Sequence, residues 1–184
     1  MATLSAAHLY ALPKPAISDP ALEAALVGLR GRADRDRWLA VHVLYAQCRC
    51  SARIVEHLAA SRRPARGRVG ETLLLVGDAS DLRASVDRIT ARGIRVLATT
   101  AEQLRDRFHV EAAPLLLVVS PGGQVRYSGG YSDRKQSLAL RDRDIIEELT
   151  AGGSAPELPL LGCAVSEQLQ RLLDPLALRA PRSR

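Results

Sequence analysis

The chain has 184 residues, 47% of them hydrophobic, 25% charged and 3% aromatic, which fits one folded domain and excludes disordered and collagen-like classes. A chain this long buries about 70% of its unfolded surface, so a hydrophobic core can hold it without staples, and three cysteines are too few for a disulfide scaffold. The net charge of +6 rests on 26 basic residues, 24 of them Arg, interleaved with acids as in RGRADRDR and RDRD; with no aromatic–basic stacking pattern they read as a solvated surface, and no nucleic-acid partner is expected.

Residues 1–20 carry Pro13, Pro15 and Pro20 and read as an extended lead-in, after which Asp19 or Ser18 can cap a short helix over 21–29. The run WLAVHVLY at 38–45 is a buried strand. It stops at Ala46-Gln47-Cys48-Arg49-Cys50-Ser51, and helical spacing resumes over 52–61 at Ile54, Val55, Leu58 and Ala59. A basic loop spans 62–70. A second buried strand covers 72–76, a helix 80–92 ends at Gly93, and a third strand covers 94–98. Thr100 can cap a helix over 101–108. Pro114 opens a strand over 115–119, and the turn Pro121-Gly122-Gly123 sends the chain back antiparallel over 124–128. An amphipathic helix over 141–151 is ended by Gly152-Gly153, and a Pro-containing tail carries Gly162-Cys163 to a last short helix over 166–173.

Early strands that alternate with helices pair in parallel, and the Pro-Gly-Gly hairpin adds an antiparallel pair. The predicted architecture is a three-layer α/β/α sandwich on a mixed central sheet. No repeat of fixed period interrupts it. The longest charge-free stretch, 112–125, is broken by Pro114, Pro121, Gly122 and Gly123 and is shorter than the roughly 20 residues of a membrane helix. The N-terminal MATLSAAHLYALPKP lacks a basic region followed by a continuous apolar run. A cytoplasmic location without a membrane span is therefore expected, with an exported or anchored longer form as the alternative.

A buried strand that runs into a cysteine pair at a helix start, and Val110-Glu111-Ala112-Ala113-Pro114 before the penultimate strand, resemble the thioredoxin-like superfamily over residues 38–152. That leaves 1–37 as an N-terminal extension with a short helix and 153–184 as a C-terminal extension. The resemblance implies that Cys48 is the nucleophile and that the Ala113–Pro114 bond is cis and faces it. A RedB-like branch of the superfamily is closer still. It shows CPCS or CPCT at the site, SGG after the last strand and GC near the C-terminus; here these are Cys48-Arg49-Cys50-Ser51, Ser128-Gly129-Gly130 and Gly162-Cys163. There are two departures from that pattern: Arg49 replaces the usual proline, and Arg134 and Lys135 stand where a histidine follows SGG.

Cys48 sits at or just before the first turn of a helix, where unpaired N–H groups and the macrodipole favour a thiolate. Arg49 and Arg53 push the same way. The bland alternative is a small buried cysteine. The ordinary resolving position is occupied by Ser51, which suits a cap or a hydrogen bond to the thiolate. A Cys48–Cys50 bridge requires Cys48 to lie outside helical geometry. Cys163 is the other candidate, because the eleven residues 152–162 reach far enough when extended to retrace a helix. Action of Cys48 alone is a third.

Gly129 and Gly130 either end an edge strand or leave room for a substrate backbone or thiol on the Cys48 side, where Ala113 and Pro114 are expected to join them as substrate-binding residues. Tyr131 either lines that approach or covers the core. His42, in the middle of a strand, reads as a packed, hydrogen-bonded histidine, and His57 as a surface residue. The leading function is a thiol–disulfide oxidoreductase with Cys48, Cys50 and Cys163 as its sulfur chemistry, Arg49 and Ser51 in support, a protein or small-molecule disulfide or thiol as substrate, and a separate reductant partner. No resident cofactor or metal is assigned, and the oligomeric state stays open. The alternatives are a copper-handling protein that uses the same thiolates and a redox-silent interaction module.

Overall fold

The apolar run Trp38–Tyr45 forms strand β1, buried on both faces, which explains why it shows no alternation of polar and apolar residues. The computed structural model describes residues 11–63, 67–135, 137 and 139–176. On one side β1 pairs in parallel with β2 (Val69–Val76), which pairs in parallel with β3 (Arg95–Thr99). On the other side β1 pairs antiparallel with Leu115–Val119, which pairs antiparallel with Val125–Gly129. Two further residues, Ala112–Ala113, form β4 just before the cis Ala113–Pro114 bond. The two antiparallel strands are therefore β5 and β6, and the sheet order is β3-β2-β1-β5-β6. A separate antiparallel pair joins β4 to β7 (Cys163–Ala164).

Helices cover both faces. Against one face, carrying Leu39, Val41 and Val43 of β1, pack α1 (Pro20–Val27) through Leu22 and Leu26, α4 (Ala101–Phe108) through Leu104 and Phe108, and α6 (Glu167–Leu173) through Leu169. Against the other, carrying Ala40 and Leu44, pack α2 (Arg49–Ala60), α3 (Arg83–Ala91) and α5 (Asp142–Thr150). Burial of each such leucine contributes about 1.5–3 kcal/mol. Leu12 from the N-terminal lead-in and Leu160 and Val165 from the C-terminal tail lie in the first of these cores.

Local chemistry sets the helix ends. Asp19 caps α1, accepting the N–H groups of Ala21 and Leu22 at 3.0 and 3.2 Å. Thr100 opens α4 in a capping box with Gln103. Some boundaries differ from the sequence reading. The helix expected over 52–61 begins at Arg49, so Cys50 and Ser51 lie in its first turn. The helix expected over 80–92 is a 3-10 turn, Ser80–Leu82, followed by α3. The loop expected over 62–70 gives way to strand at Val69, and its residues 64–66 lie outside the described ones. The two-residue strands β4 and β7 were not anticipated, because a pair of residues carries no periodicity. No helix among the described residues is long and apolar enough to cross a membrane.

Candidate redox site

Cys48 ends the turn after β1. Its N–H donates to Tyr45 O at 2.9 Å, its backbone is extended, and its own carbonyl accepts the Ala52 N–H at 2.9 Å, so it is the N-cap of α2. Its sulfur is bonded to that of Cys163, 115 residues away, with the two Cα atoms 6.2 Å apart, inside the normal disulfide range. Cys48 is 1% exposed, and Cys163 is half-buried.

Cys163 is held there by a strap, residues 158–166, that lies over the Pro114 end of the sheet. Gly130 N–H donates to Leu158 O at 3.2 Å, Leu12 N–H to Leu160 O at 2.8 Å, and Val165 N–H to Glu111 O at 2.7 Å. Ser166 Oγ donates to Glu111 Oε1 at 2.9 Å. Cys163 itself faces Ala113 in the β4–β7 pair. The strap changes the meaning of the Ser-Gly-Gly segment. A Cβ at Gly129 would meet Leu158 O at 2.8 Å, and one at Gly130 would overlap Pro159 O. The backbone that needs these glycines bare is the chain's own, and it fills the space that the sequence reading gave to a substrate.

Ser51 also departs from its expected part. It is fully buried, and its Oγ accepts the Tyr45 N–H at 3.0 Å, tying the start of α2 to the end of β1. No side chain caps α2 at Cys48. Arg49 is exposed and, with Cys48, Gln47, Asp78 and Asp81, lines a groove between α2 and the β2–α3 connection.

Cys50, two residues on, is a free, half-buried thiol. It opens instead into a cleft walled by Arg53, Pro114, Tyr131, Arg134 and Lys135, with Pro159 and Leu161 of the strap on its far side. The structure thus brings all three cysteines to the start of α2 and the strap beside it, but joins Cys48 to Cys163 and leaves Cys50 on a separate cleft.

Beneath this site runs a buried polar network that the sequence did not disclose. His42, 0% exposed, meets Tyr131 OH through Nδ1 at 2.8 Å and Glu71 Oε2 through Nε2 at 3.2 Å. Arg63 Nε donates to Glu71 Oε1 and Oε2 at 3.3 and 3.1 Å, and its Nη1 to Asp142 Oδ2 at 2.7 Å. His57 Nε2 meets Asp142 Oδ1 at 2.8 Å. His57, read from sequence as a surface residue, is thus a partner of the fully buried Asp142.

Burial pushes the Asp142 and Glu71 carboxyls up. For Asp142 the His57 hydrogen bond and the Arg63 charge outweigh it; for Glu71 the hydrogen bonds from His42 and Arg63 do. Both end below their ordinary values. An ionised Glu71 can only accept, so His42 donates to it through Nε2, while Nδ1 meets the Tyr131 hydroxyl. Burial holds the Tyr131 phenol well above its usual range, so it stays neutral. Among the described residues no group of three or more His, Cys, Asp or Glu side chains could hold a metal ion.

A five-stranded mixed sheet between two helical layers, with the cysteine pair at the start of α2 and Pro114 opening β5, is a thioredoxin-like α/β/α sandwich. Among solved structures the chain is similar to a hypothetical protein of Sinorhizobium meliloti 1021. The identity is 16% over 72% of this chain and 81% of that one, with a TM-score of 0.55. It is also similar to an uncharacterized conserved protein of Geobacillus kaustophilus, at 14% identity over 71% of this chain and 77% of that one, with a TM-score of 0.51. A thiol-disulfide isomerase from Corynebacterium glutamicum matches at 12% identity over 79% of this chain and 93% of that one, with a TM-score of 0.46. No family model matches the chain, and no curated protein matches it in sequence.

Proposed function

We propose that the protein is a thiol–disulfide oxidoreductase whose redox couple is Cys48 and Cys163. The observation that carries this reading is the bond between these two cysteines, brought from 115 residues apart to the N-terminus of α2. The resemblance of Cys48-Arg49-Cys50-Ser51, Ser128-Gly129-Gly130 and Gly162-Cys163 to the RedB-like pattern supports it. In this reading residues 38–152 are the thioredoxin-like unit, 1–37 flank it, and 153–184 supply the second sulfur.

In the reduced protein the first-turn N–H groups of α2 stabilise the Cys48 thiolate, with Arg49 adding positive charge. That thiolate attacks one sulfur of a substrate disulfide: a Cys48–substrate disulfide forms, the substrate S–S bond breaks, and the departing thiolate takes a proton from water. Cys163 then attacks the Cys48 sulfur, forms the intramolecular disulfide and releases the second substrate thiolate. The strap keeps Cys163 at hand, so this step has the advantage of a preoriented intramolecular reaction. A partner dithiol restores the reduced pair. In the cytoplasm that dithiol form is the resting one.

The test is dithiol-dependent turnover of a small aromatic disulfide. Cys48→Ser abolishes turnover, and Cys163→Ser stalls as a mixed disulfide visible by intact mass. Turnover that survives both substitutions overturns the reading.

A further inference from the structure

The oxidoreductase couple leaves Cys50 and the cleft around it without a part, and resting on that reading we infer that this cleft is a binding site for small carboxylate-bearing disulfides and thiols, which it delivers to Cys50. A free thiol lies in its wall together with three cationic side chains, Arg53, Arg134 and Lys135. None of the described residues that line it is acidic; Asp133 is a neighbour on the same loop but exposed and outside the wall. The three cations come from two elements. Arg53 stands one turn after Cys50 on α2 and donates to Ser137 O at 3.2 Å, which ties residue 137 to α2 beside the cleft. Arg134 and Lys135 project from that loop.

The strap supplies the opposite wall through Pro159 and Leu161. Pro114 and the buried Tyr131 add apolar surface to the lining. A cationic rim concentrates anionic reagents and repels cationic ones, an effect that salt screens. An acidic polypeptide meets the same charges, but a cleft closed on one side by the strap favours a small molecule.

The covalent step is a single exchange. The Cys50 thiolate, its proton given to water, attacks one sulfur of the small disulfide RSSR. The Cys50–S–S–R bond forms, the RS–SR bond breaks, and RS⁻ leaves and is protonated by water. RSSR is itself the oxidant, and the Cys48–Cys163 bond is untouched.

The experiment treats the full chain, with Cys48–Cys163 oxidised, with glutathione disulfide, which carries carboxylates, and in parallel with cystamine, which carries amines. Adduct on Cys50 is followed by intact mass and peptide mapping, each rate divided by that of the same reagent with the urea-unfolded chain. The site predicts a normalised preference for glutathione disulfide of about tenfold at low salt that collapses toward one near 1 M NaCl. Arg134→Ala with Lys135→Ala, at exposed and half-buried loop positions, lowers the glutathione disulfide rate several-fold and not the cystamine rate. A normalised ratio at or below one, or a ratio indifferent to salt, overturns the proposal. Because mass is counted on Cys50, this result is independent of whether Cys48 and Cys163 turn over.

Discussion

Gly162 and Ala113 meet backbone to backbone: the carbonyl of Ala113 occupies the space that a Cβ at position 162 would need, with Pro114 Cδ beside it. The residue before Cys163 is therefore packed directly on the Ala113–Pro114 peptide, where a side chain has no room.

Gly162→Ala forces that contact apart. Overpacking of this kind costs about 1–3 kcal/mol, and here it also moves Cys163 away from Cys48. A lower thermal midpoint and slower disulfide formation on air oxidation are expected, both by comparison with Gly67→Ala, where a Cβ meets nothing within 4 Å. Equal behaviour of the two variants would show that the strap does not depend on this approach.

The Asp142–Arg63–Glu71 chain makes stability depend on pH. Asp142 and Glu71 titrate lower in the folded protein than their ordinary 3.8 and 4.5. A depressed folded value means that the stabilisation is complete above the unfolded value and fades as pH falls through the folded one. The urea midpoint is thus expected to hold from pH 7 to about pH 5 and to fall progressively below about pH 4.5. Asp142→Asn flattens that fall and lowers stability at pH 7 by about 3 kcal/mol, because it breaks a buried pair and leaves Arg63 with less compensation.

Tyr131→Phe tests whether the His42 contact is structural. It removes the hydroxyl that meets His42 Nδ1 at 2.8 Å and leaves a buried ring nitrogen without that partner, at about 1–2 kcal/mol. Denaturant unfolding reads that loss, and oxidised mass should still show the Cys48–Cys163 bond. Disappearance of the disulfide in Tyr131→Phe would tie the network to the sulfur chemistry instead.

Much of this layout is written in local sequence. The bounds of β1, α4 and β5 follow from one apolar run, from Thr100 with Gln103, and from Pro114, because each depends on neighbours within a few residues. The thioredoxin-like fold was readable from strands and helices of that kind. What was not readable depends on residues far apart: Arg63 reaches Asp142 across 79 positions and His42 reaches Tyr131 across 89, and nothing in one sequence pairs them. The glycines at 129 and 130 were visible as bare positions, but what approaches them depends on where the strap runs. The partner of Cys48 stayed open between Cys50 and Cys163 for the same reason, since a strap can be measured for length in sequence but not for direction.

A thiol at the N-cap of α2 should be acidic. In a chain that carries Cys50→Ser and Cys163→Ser, the pH–rate curve for alkylation of Cys48 should report a pKa below the free-cysteine value of about 8.5. A value at or above it would mean that the burial of Cys48 outweighs the helix terminus.

Cys48 and Cys163 should form a reversible redox pair. An equilibrium titration of the full chain in dithiothreitol of graded oxidation state, quenched by alkylation and mapped by non-reducing peptide mass, tests it most directly. One transition is expected, in which two thiols interconvert with one disulfide, with Cys48 and Cys163 linked in the oxidised limb and alkylated in the reduced one, the same in both directions of approach. A bond mapped to Cys48–Cys50 or Cys50–Cys163, or three thiols that stay alkylatable throughout, would contradict it.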